Sequence, residues 1–352
     1  MLKPARITTV IPTYRRPEKL RRAIRSVLKQ TYPHFRILVL DNASGDETAT
    51  VVRELRQQDP RIEYVCHAQT IDVVQNFQAG LLSVQTEFFS FLADDDVLLP
   101  NFFKDTMAQL EAYPQAACCV GSAVEVDEAT GAILRVPMNL WQDVPFATSN
   151  ELLHDVICHG VNWCGTLFRT AICRQVEPLN QEFKTFDYEY MIRLATRHPF
   201  ALSKSPAALF VHHVGSYSNM RHPKLIWPSW TQFFPLIDAA THLTLEEKRQ
   251  AKEWIQRQID RALTSMTLRN LLTHKFLEAR QAIDLLIEQR AEKRLLKILK
   301  TCLVLAEHSF LMFFFFTLPL RLRDVWRRLR RASKFDVLQE SLDVKTMLNL
   351  ER

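Results

Sequence analysis

Apolar positions recur with two different periods along the first third of the chain. Ile7–Pro12 is a short, β-branched apolar run with turn chemistry behind it, which predicts a buried strand. In Glu18–Gln30, Leu20, Ile24, Val27 and Leu28 fall at helical spacing. Arg36–Leu40 predicts a second buried strand ending at Asp41-Asn42, and Asp46 suits the N-cap of a helix running through Gln57. The pattern continues with a strand at Ile62–Cys66, a helix at Asp72–Val84, a strand at Phe88–Ala93 and a proline-started helix at Pro100–Tyr113. Such β-α repetition with short connections implies an α/β fold, an open and mostly parallel sheet with helices on both faces. Sheets of this kind place ligands at the carboxyl ends of their strands. Those ends carry polar clusters here: Thr13-Tyr14-Arg15, Asp41-Asn42 and Asp94-Asp95-Asp96.

From about Ala117 the pattern is mixed. Strand-like pieces at Cys118–Val126, Ile133–Pro137, Trp163–Phe168 and Ala207–His212 alternate with short helices, which predicts an antiparallel extension of the same sheet. After Trp227 the chain is almost wholly helical, with long amphipathic candidates at Leu245–Leu272 and Lys275–Arg290. The expected division is therefore a sheet domain over residues 1–227 and a helical C-terminal region over 228–352.

The composition is that of an ordinary globular protein, 47% hydrophobic and 24% charged. The formal charge of +6 is unevenly placed. Residues 291–334 carry eleven Lys or Arg against three Asp or Glu, so the remainder sums to −2. The sheet domain thus lacks the basic surface of a nucleic-acid binder. Seven scattered cysteines with no CxxC spacing predict reduced, mostly buried thiols. The first residues lack the apolar core of a secretory signal, so a cytoplasmic placement is expected.

Three adjacent carboxylates repel one another. Asp94-Asp95-Asp96 follows the apolar run Phe88–Ala93 and precedes Pro100, which fixes the triplet at a strand's carboxyl end. A hard divalent cation, Mg²⁺ or Mn²⁺, would offset the repulsion and would share its remaining positions with phosphate oxygens and water. The competing reading is an acidic turn that caps the next helix. Asp187, at the head of the helical pattern through Met191, Ile192, Leu194 and Ala195, is likewise either a helix cap or a general base.

Four segments in order resemble the family 2 glycosyltransferases: Val10-Ile11-Pro12-Thr13-Tyr14-Arg15-Arg16-Pro17, Ser26-Val27-Leu28-Lys29-Gln30-Thr31-Tyr32, Leu38-Val39-Leu40-Asp41-Asn42-Ala43-Ser44, and Phe91-Leu92-Ala93-Asp94-Asp95-Asp96-Val97-Leu98-Leu99-Pro100. The resemblance runs from about residue 6 to 218. It implies a GT-A fold and an enzyme that moves a sugar from a nucleotide-diphosphate donor to an acceptor hydroxyl. It implies that Pro12, Thr13 and Tyr14 line the nucleotide pocket and that Asp41 accepts a hydrogen bond from the base, typically uracil. Asp94 would contact the ribose, while Asp95 with Asp96 would hold the metal. Asn76 lies where many members carry a basic residue followed by Asn, but Gln75 precedes it here. Ala93 stands where many members have the first Asp of the metal motif.

Phe183-Lys184-Thr185-Phe186-Asp187-Tyr188-Glu189-Tyr190 resembles the family's base motif, which assigns the base to Asp187 and leaves Glu189 a structural part. Asn162–Arg169 resembles the preceding strand; Trp163 is then either a sugar-stacking ring or a buried one, and Gly165 suits close approach to a ligand. His212-His213-Val214-Gly215-Ser216-Tyr217-Ser218 resembles a segment that puts His213 near the diphosphate or metal, with Val211 in place of the family's Arg. Phe310–Phe316 lies in an apolar stretch from Ser309 to Leu320, flanked by Lys and Arg on both sides. Twelve residues are too few to span a bilayer, which takes about 20, but the pattern suits an anionic membrane interface. Expected partners are a nucleotide-diphosphate sugar, UDP-sugar favoured, a carbohydrate or lipid-linked acceptor, and the inner face of the cytoplasmic membrane. The alternatives are a sugar-nucleotide pyrophosphorylase, whose glycine-rich phosphate loop is missing after the first strand, and a non-catalytic nucleotide-sugar binding module.

Overall fold

The structure, a computed structural model, describes residues 4–183, 185–213, 223–273, 275–288, 293–308, 338 and 341–348. It divides into two compact units, 1–213 with 341–352, and 214–340. The first unit begins as the hydrophobic periods predict: β1 (Ile7–Thr13), α1 (Pro17–Leu28), β2 (Phe35–Asp41), α2 (Thr48–Gln58), β3 (Ile62–Cys66), α3 (Val73–Ser83) and β4 (Phe88–Phe91). Then come β5 (Val97–Leu98), α4 (Phe102–Ala112), β6 (Cys118–Asp127), β7 (Ile133–Arg135), β8 (Phe146–Ala147) and α5 (Ser149–His159). A 3₁₀ turn at Trp163–Gly165 leads into β9 (Thr166–Arg169), α6 (Thr170–Cys173), α7 (Phe186–Ala195) and β10 (Phe200–His212).

One sheet runs through this unit in the order β3-β2-β1-β4-β9-β6-β10-β5, with β7 against β6 and β8 against β10. The first four strands are parallel. β9 is antiparallel to both β4 and β6, which makes it the seam where the predicted extension begins. All seven residues of β1 are buried, as a central parallel strand requires. The pairing register sets the site. Thr13 lies beside Asp41, Asp41 beside Cys66, and Val10 beside Phe91. The donated bond from Leu92 N–H to Val10 C=O continues that ladder by one residue. The chain therefore delivers Asp94 to the end of β1.

Two differences from the periodic reading have physical causes. The carboxylate triplet is not followed directly by a helix. Val97–Leu98 first pairs with β10, and a hydrogen bond from Leu98 N–H to the Ser26 hydroxyl pins that strand to α1. The strand expected over Ala207–His212 starts earlier, at Phe200, because a bulge between Leu202 and Ala208 lets it change pace against β6. Five of the seven cysteines are buried and all seven are free thiols.

Gly80 on α3 is where helix and sheet meet. A Cβ there would lie 2.5 Å from Val10 Cγ1 and 3.0 Å from Leu40 Cδ1. Gly80→Ala is expected to destabilise this unit by about 1–3 kcal/mol through overpacking. Thermal unfolding checks it, and an unchanged Tm would contradict this packing.

The second unit holds α8 (Pro223–Thr231), α9 (Phe233–Ala239), α10 (Leu245–Leu272), α11 (Phe276–Glu288) and α12 (Lys293–His308). α10 starts on a reciprocal capping box between Thr244 and Glu247. Its buried stripe, Ala251, Ile255, Ile259, Leu263 and Met266, repeats every three or four residues. α11 contributes Ala279, Ala282, Ile283 and Leu286 to the unit's core. No helix among the described residues is long and apolar enough to cross a membrane. The basic, aromatic stretch at 309–334 and the segment 214–218 lie outside the described residues. Residues 341–348 belong to the first unit and carry its last helix, α13 (Val344–Leu348).

Candidate active site

The carboxyl ends of β1, β2 and β4 converge on one polar cluster. Thr13 donates its hydroxyl to Asp94 Oδ2 at 2.8 Å, while Arg16 Nη1 donates to Asp94 Oδ1 at 3.2 Å and to Asp95 Oδ2 at 2.8 Å. His213 Nε2 meets the same Asp95 Oδ2 at 2.8 Å. Asp94 and Asp95 are both buried. Burial, and next the charge of Asp95, push the Asp94 carboxyl up to about 6 against the opposing pull of Arg16 and Thr13.

Asp96 faces elsewhere. Its Oδ1 accepts from Val211 N–H at 2.8 Å, and it hydrogen-bonds Cys164. Burial, followed by the charge of Asp95, lifts its carboxyl well above the usual range. The three consecutive acids thus divide into a pair and a separately anchored third. Of the three residues expected to hold a metal, the structure brings Asp95 and His213 together, joins Asp94 to them, and ties Asp96 to β10 and the turn before β9.

At the end of β2, Asp41 Oδ1 accepts from Ser44 N–H at 2.9 Å and Oδ2 from the Tyr64 hydroxyl at 2.6 Å. Arg15 N–H donates to the Ser44 hydroxyl and Arg15 Nε to the Ser44 carbonyl, so the loops after β1 and β2 are tied together. Arg15 (φ 53°) and Ala43 (φ 58°) both hold the left-handed conformation that non-glycine residues avoid. Such backbone strain gathers where a ligand pocket demands a loop shape. Tyr14 is 40% exposed beside it, with the Arg15 guanidinium over its ring. Pro12 is buried within β1. Asn76 is buried, and its Oδ1 meets His67 Nε2 at 2.9 Å. His67 N–H in turn donates to the Asp41 carbonyl.

Asp187 stands in the first turn of α7 with no side-chain cap bond at the preceding Thr185. Burial raises its carboxyl above the ordinary value, opposed by the backbone N–H groups of Tyr188 and Asp187 itself. Its neighbour Phe186 anchors this turn on an aromatic cluster. Phe186 packs on Phe77 (5.2 Å between centroids), and Phe77 packs on Phe91 (5.1 Å), three residues before Asp94. Glu189 is buried in a two-pronged ion pair with Arg193, at 2.7 and 3.0 Å, a structural contact within the helix. Trp163 belongs to the same cluster. It is 7% exposed and stacks on Phe91 at 4.9 Å and 19°. That face is closed to a sugar. Gly165 is required by the sheet itself: its Cβ would meet the Gly121 carbonyl at 3.1 Å and Ala123 N at 3.4 Å.

Periodicity did not point to Arg16, Arg22, Tyr64 or His67. Arg16 was legible only as half of a basic pair before Pro17. Arg22 and Tyr64 sit on α1 and β3, and His67 follows β3 directly.

Residues 8–176 match the family model Glycosyl transferase family 2. This segment, just under half of the chain, is similar to the family 2 glycosyltransferases. The matched residues hold Thr13, Asp41, Asp94 and Asp95; Asp187 and His213 lie beyond them. The chain is 35% identical over 103 residues to the GalNAc(5)-diNAcBac-PP-undecaprenol beta-1,3-glucosyltransferase of Campylobacter jejuni, covering 29% of this chain and 33% of that one. It is 33% identical over 187 residues to an uncharacterized glycosyltransferase of Rickettsia prowazekii, covering 52% and 56%. The chain thus spans about half or less of the length of these relatives. Among solved structures it resembles S. aureus TarS 1–349 in complex with UDP-GlcNAc, with a TM-score of 0.64 at 18% identity over 86% of this chain and 87% of that one. It also resembles the mannosyltransferase PcManGT of Pyrobaculum calidifontis in complex with GDP-Man and Mn²⁺, with a TM-score of 0.53 at 13% identity over 96% and 88%. The first unit therefore has the GT-A fold, with its parallel half carrying the polar cluster and the end of β10, in the mixed half, leading into His213.

Proposed function

We propose that the protein is an inverting, metal-dependent glycosyltransferase that moves a sugar from a nucleoside-diphosphate donor, UDP-sugar favoured, to an acceptor hydroxyl. The observation that carries this reading is the contact of Asp95 with His213, with Arg16 bridging Asp95 to Asp94 beside Thr13. Carboxylate and imidazole are donor types that suit Mg²⁺ or Mn²⁺. Asp94, Asp95 and His213 would hold the ion, which supplies positive charge to the diphosphate as it leaves. Asp96 keeps its bonds to Val211 and Cys164 and positions the loop. The Mn²⁺ in the PcManGT structure and the UDP-GlcNAc in the TarS structure support the choice of ligands.

The chain's own groups supply the rest. Asp41, Tyr14 and Asn76 bound the base and ribose pocket. Arg16 reaches the two metal-binding acids and serves as the basic phosphate contact that Gln75 does not provide. Asp187 accepts the acceptor hydroxyl's proton as that oxygen attacks the anomeric carbon. The new carbon–oxygen bond forms on the face opposite the breaking bond to the diphosphate, so the configuration inverts. The name of the Campylobacter relative supports a lipid-linked acceptor in surface-glycan synthesis, and the basic, aromatic stretch at 309–334 supports work at the inner membrane face.

Two measurements test this reading. Incubating the protein and Mn²⁺ with UDP-, GDP- and dTDP-sugars should release UDP most readily, and NMR of the product should give the opposite anomer to the donor. Retention of configuration would refute the base role. Separately, glutamine at Arg327, Arg328, Arg330 and Arg331 should weaken co-sedimentation with phosphatidylglycerol vesicles strongly, since each basic residue near an anionic surface contributes about 1 kcal/mol. Unchanged sedimentation would remove the membrane from the account.

A further inference from the structure

Arg22 lies on α1, one turn before Ser26, and is buried. Its guanidinium joins three separate parts of the chain. Nη2 donates to the Asp95 carbonyl at 2.8 Å, both terminal nitrogens donate to Glu128 Oε1 at 3.1 Å, and Nη1 donates to the Leu348 carbonyl at 3.3 Å. Leu348 is 326 residues away in sequence and closes α13.

Glu128 completes the node. Lys19, one turn earlier on α1, reaches its Oε2 at 3.1 Å. Burial works against its charge, but Lys19 and Arg22 together hold its carboxyl below the ordinary value. Its backbone N–H donates to the His212 carbonyl at 2.9 Å. One ion cluster therefore touches the backbone of Asp95 and the backbone next to His213. Those are the residues whose side chains meet at 2.8 Å.

The segment 341–348 seats itself on this node. Leu342, Val344 and Leu348 are buried. Lys345 lies across Gly131, which sits at φ +69° in the turn after β6; a Cβ at Gly131 would fall 2.9 Å from Lys345 Cγ. Glycine serves twice there, for the left-handed backbone and for the close approach.

We propose that the segment 341–348 is a clamp on the carboxylate loop, with Arg22 as the positioning residue that transmits its docking to Asp95 and His213. This rests on the metal-site reading above. The physical need is plain: consecutive carboxylates repel, and a loop that must present two of them to one cation needs its backbone held against that repulsion. Arg22 holds the carbonyl of Asp95 rather than its carboxylate, so it fixes the loop without consuming a ligand. The Leu348 carbonyl fixes Arg22 in turn. Metal and nucleotide affinity should then depend on a segment far from the site in sequence.

The test uses the full chain with Val344→Asp, which puts a charge into the buried seat of the segment, and with Arg22→Gln and Arg22→Lys. Hydrogen exchange of the metal-free protein reads the loop directly. Val344→Asp and Arg22→Gln should speed exchange of the Asp96 amide, which bonds the Ala93 carbonyl, by about 10-fold or more while amides in β2 stay protected. Titration with Mn²⁺ in the presence of UDP should show about 10-fold weaker binding in both, the size of an ordinary coupling between linked elements, with Arg22→Lys between them and wild type. Wild-type exchange at Asp96 in Val344→Asp would overturn the clamp. Uniformly faster exchange, β2 included, would also overturn it, by making Arg22 a general stability residue. If the wild-type protein binds no Mn²⁺ with UDP, the functional reading fails, while the exchange arm still decides whether the clamp exists.

Discussion

Replacing Asp187 with asparagine is expected to remove sugar transfer while leaving nucleotide binding close to wild type. The amide keeps the shape of the side chain and loses its proton affinity. General bases contribute about 10² to 10⁴ in rate, and turnover should fall by that order with little change in the affinity for UDP. The pH behaviour follows from burial. The folded-state carboxyl is raised above 3.8 by desolvation, so the acid limb of the rate should lie above the range of an exposed aspartate. The sign for stability is the reverse of the usual carboxylate case. A raised folded value means that the native state binds the proton more tightly than the unfolded chain does. Ionising Asp187 then costs stability as the pH rises through the window between 3.8 and the folded value. Asp187→Asn removes that cost and should melt at a higher temperature than wild type at pH 7, with the gap closing in acid. An inactive variant that is also less stable at pH 7 would mean that Asp187 is a helix-start residue and no more.

Asp95→Ala carries the second large effect. Asp95 Oδ2 is the atom on which Arg16 and His213 converge. Losing an outer-shell partner of a metal ligand already costs roughly 10- to 100-fold in affinity, so losing the ligand should exceed that and abolish Mn²⁺-dependent donor binding. Asp94 should also respond. Its carboxyl is pushed up to about 6 by burial and then by Asp95, and without that neighbour it should titrate lower. Asp96→Ala makes the control. Its carboxylate accepts from Val211 N–H, a bond that alanine cannot make, so that variant should lose thermal stability before it loses Mn²⁺. Equal loss of metal from Asp96→Ala and Asp95→Ala would move the metal one residue along the chain.

Much of this was legible in the residues. The hydrophobic periods predicted β1 to β4 and α1 to α4 because a central parallel strand is buried on both faces and a covering helix on one. The polar clusters at the strand ends followed from the same pattern. What periodicity could not say was which way each of three adjacent acids turns. That is decided by partners far away: Arg16, Thr13 and His213 for the first two, Val211 and Cys164 for the third. Trp163 shows the limit from the other side. Its type suits a sugar face, but Phe91 had already taken one face of the ring. Gly165 was read as a place for a ligand to come close, and the element that comes close is β6. Nothing in the local pattern marks Arg22 as the partner of a carbonyl 326 residues away.

The central claim is that Asp94, Asp95 and His213 form a cation-dependent diphosphate site on a GT-A sheet. Calorimetric titration of the full chain with UDP, once in Mn²⁺ and once in EDTA, tests it most directly. The structure predicts saturable binding in Mn²⁺ that disappears in EDTA, and no binding in either for Asp95→Ala. UDP binding of equal strength in EDTA, or in Asp95→Ala, would contradict it.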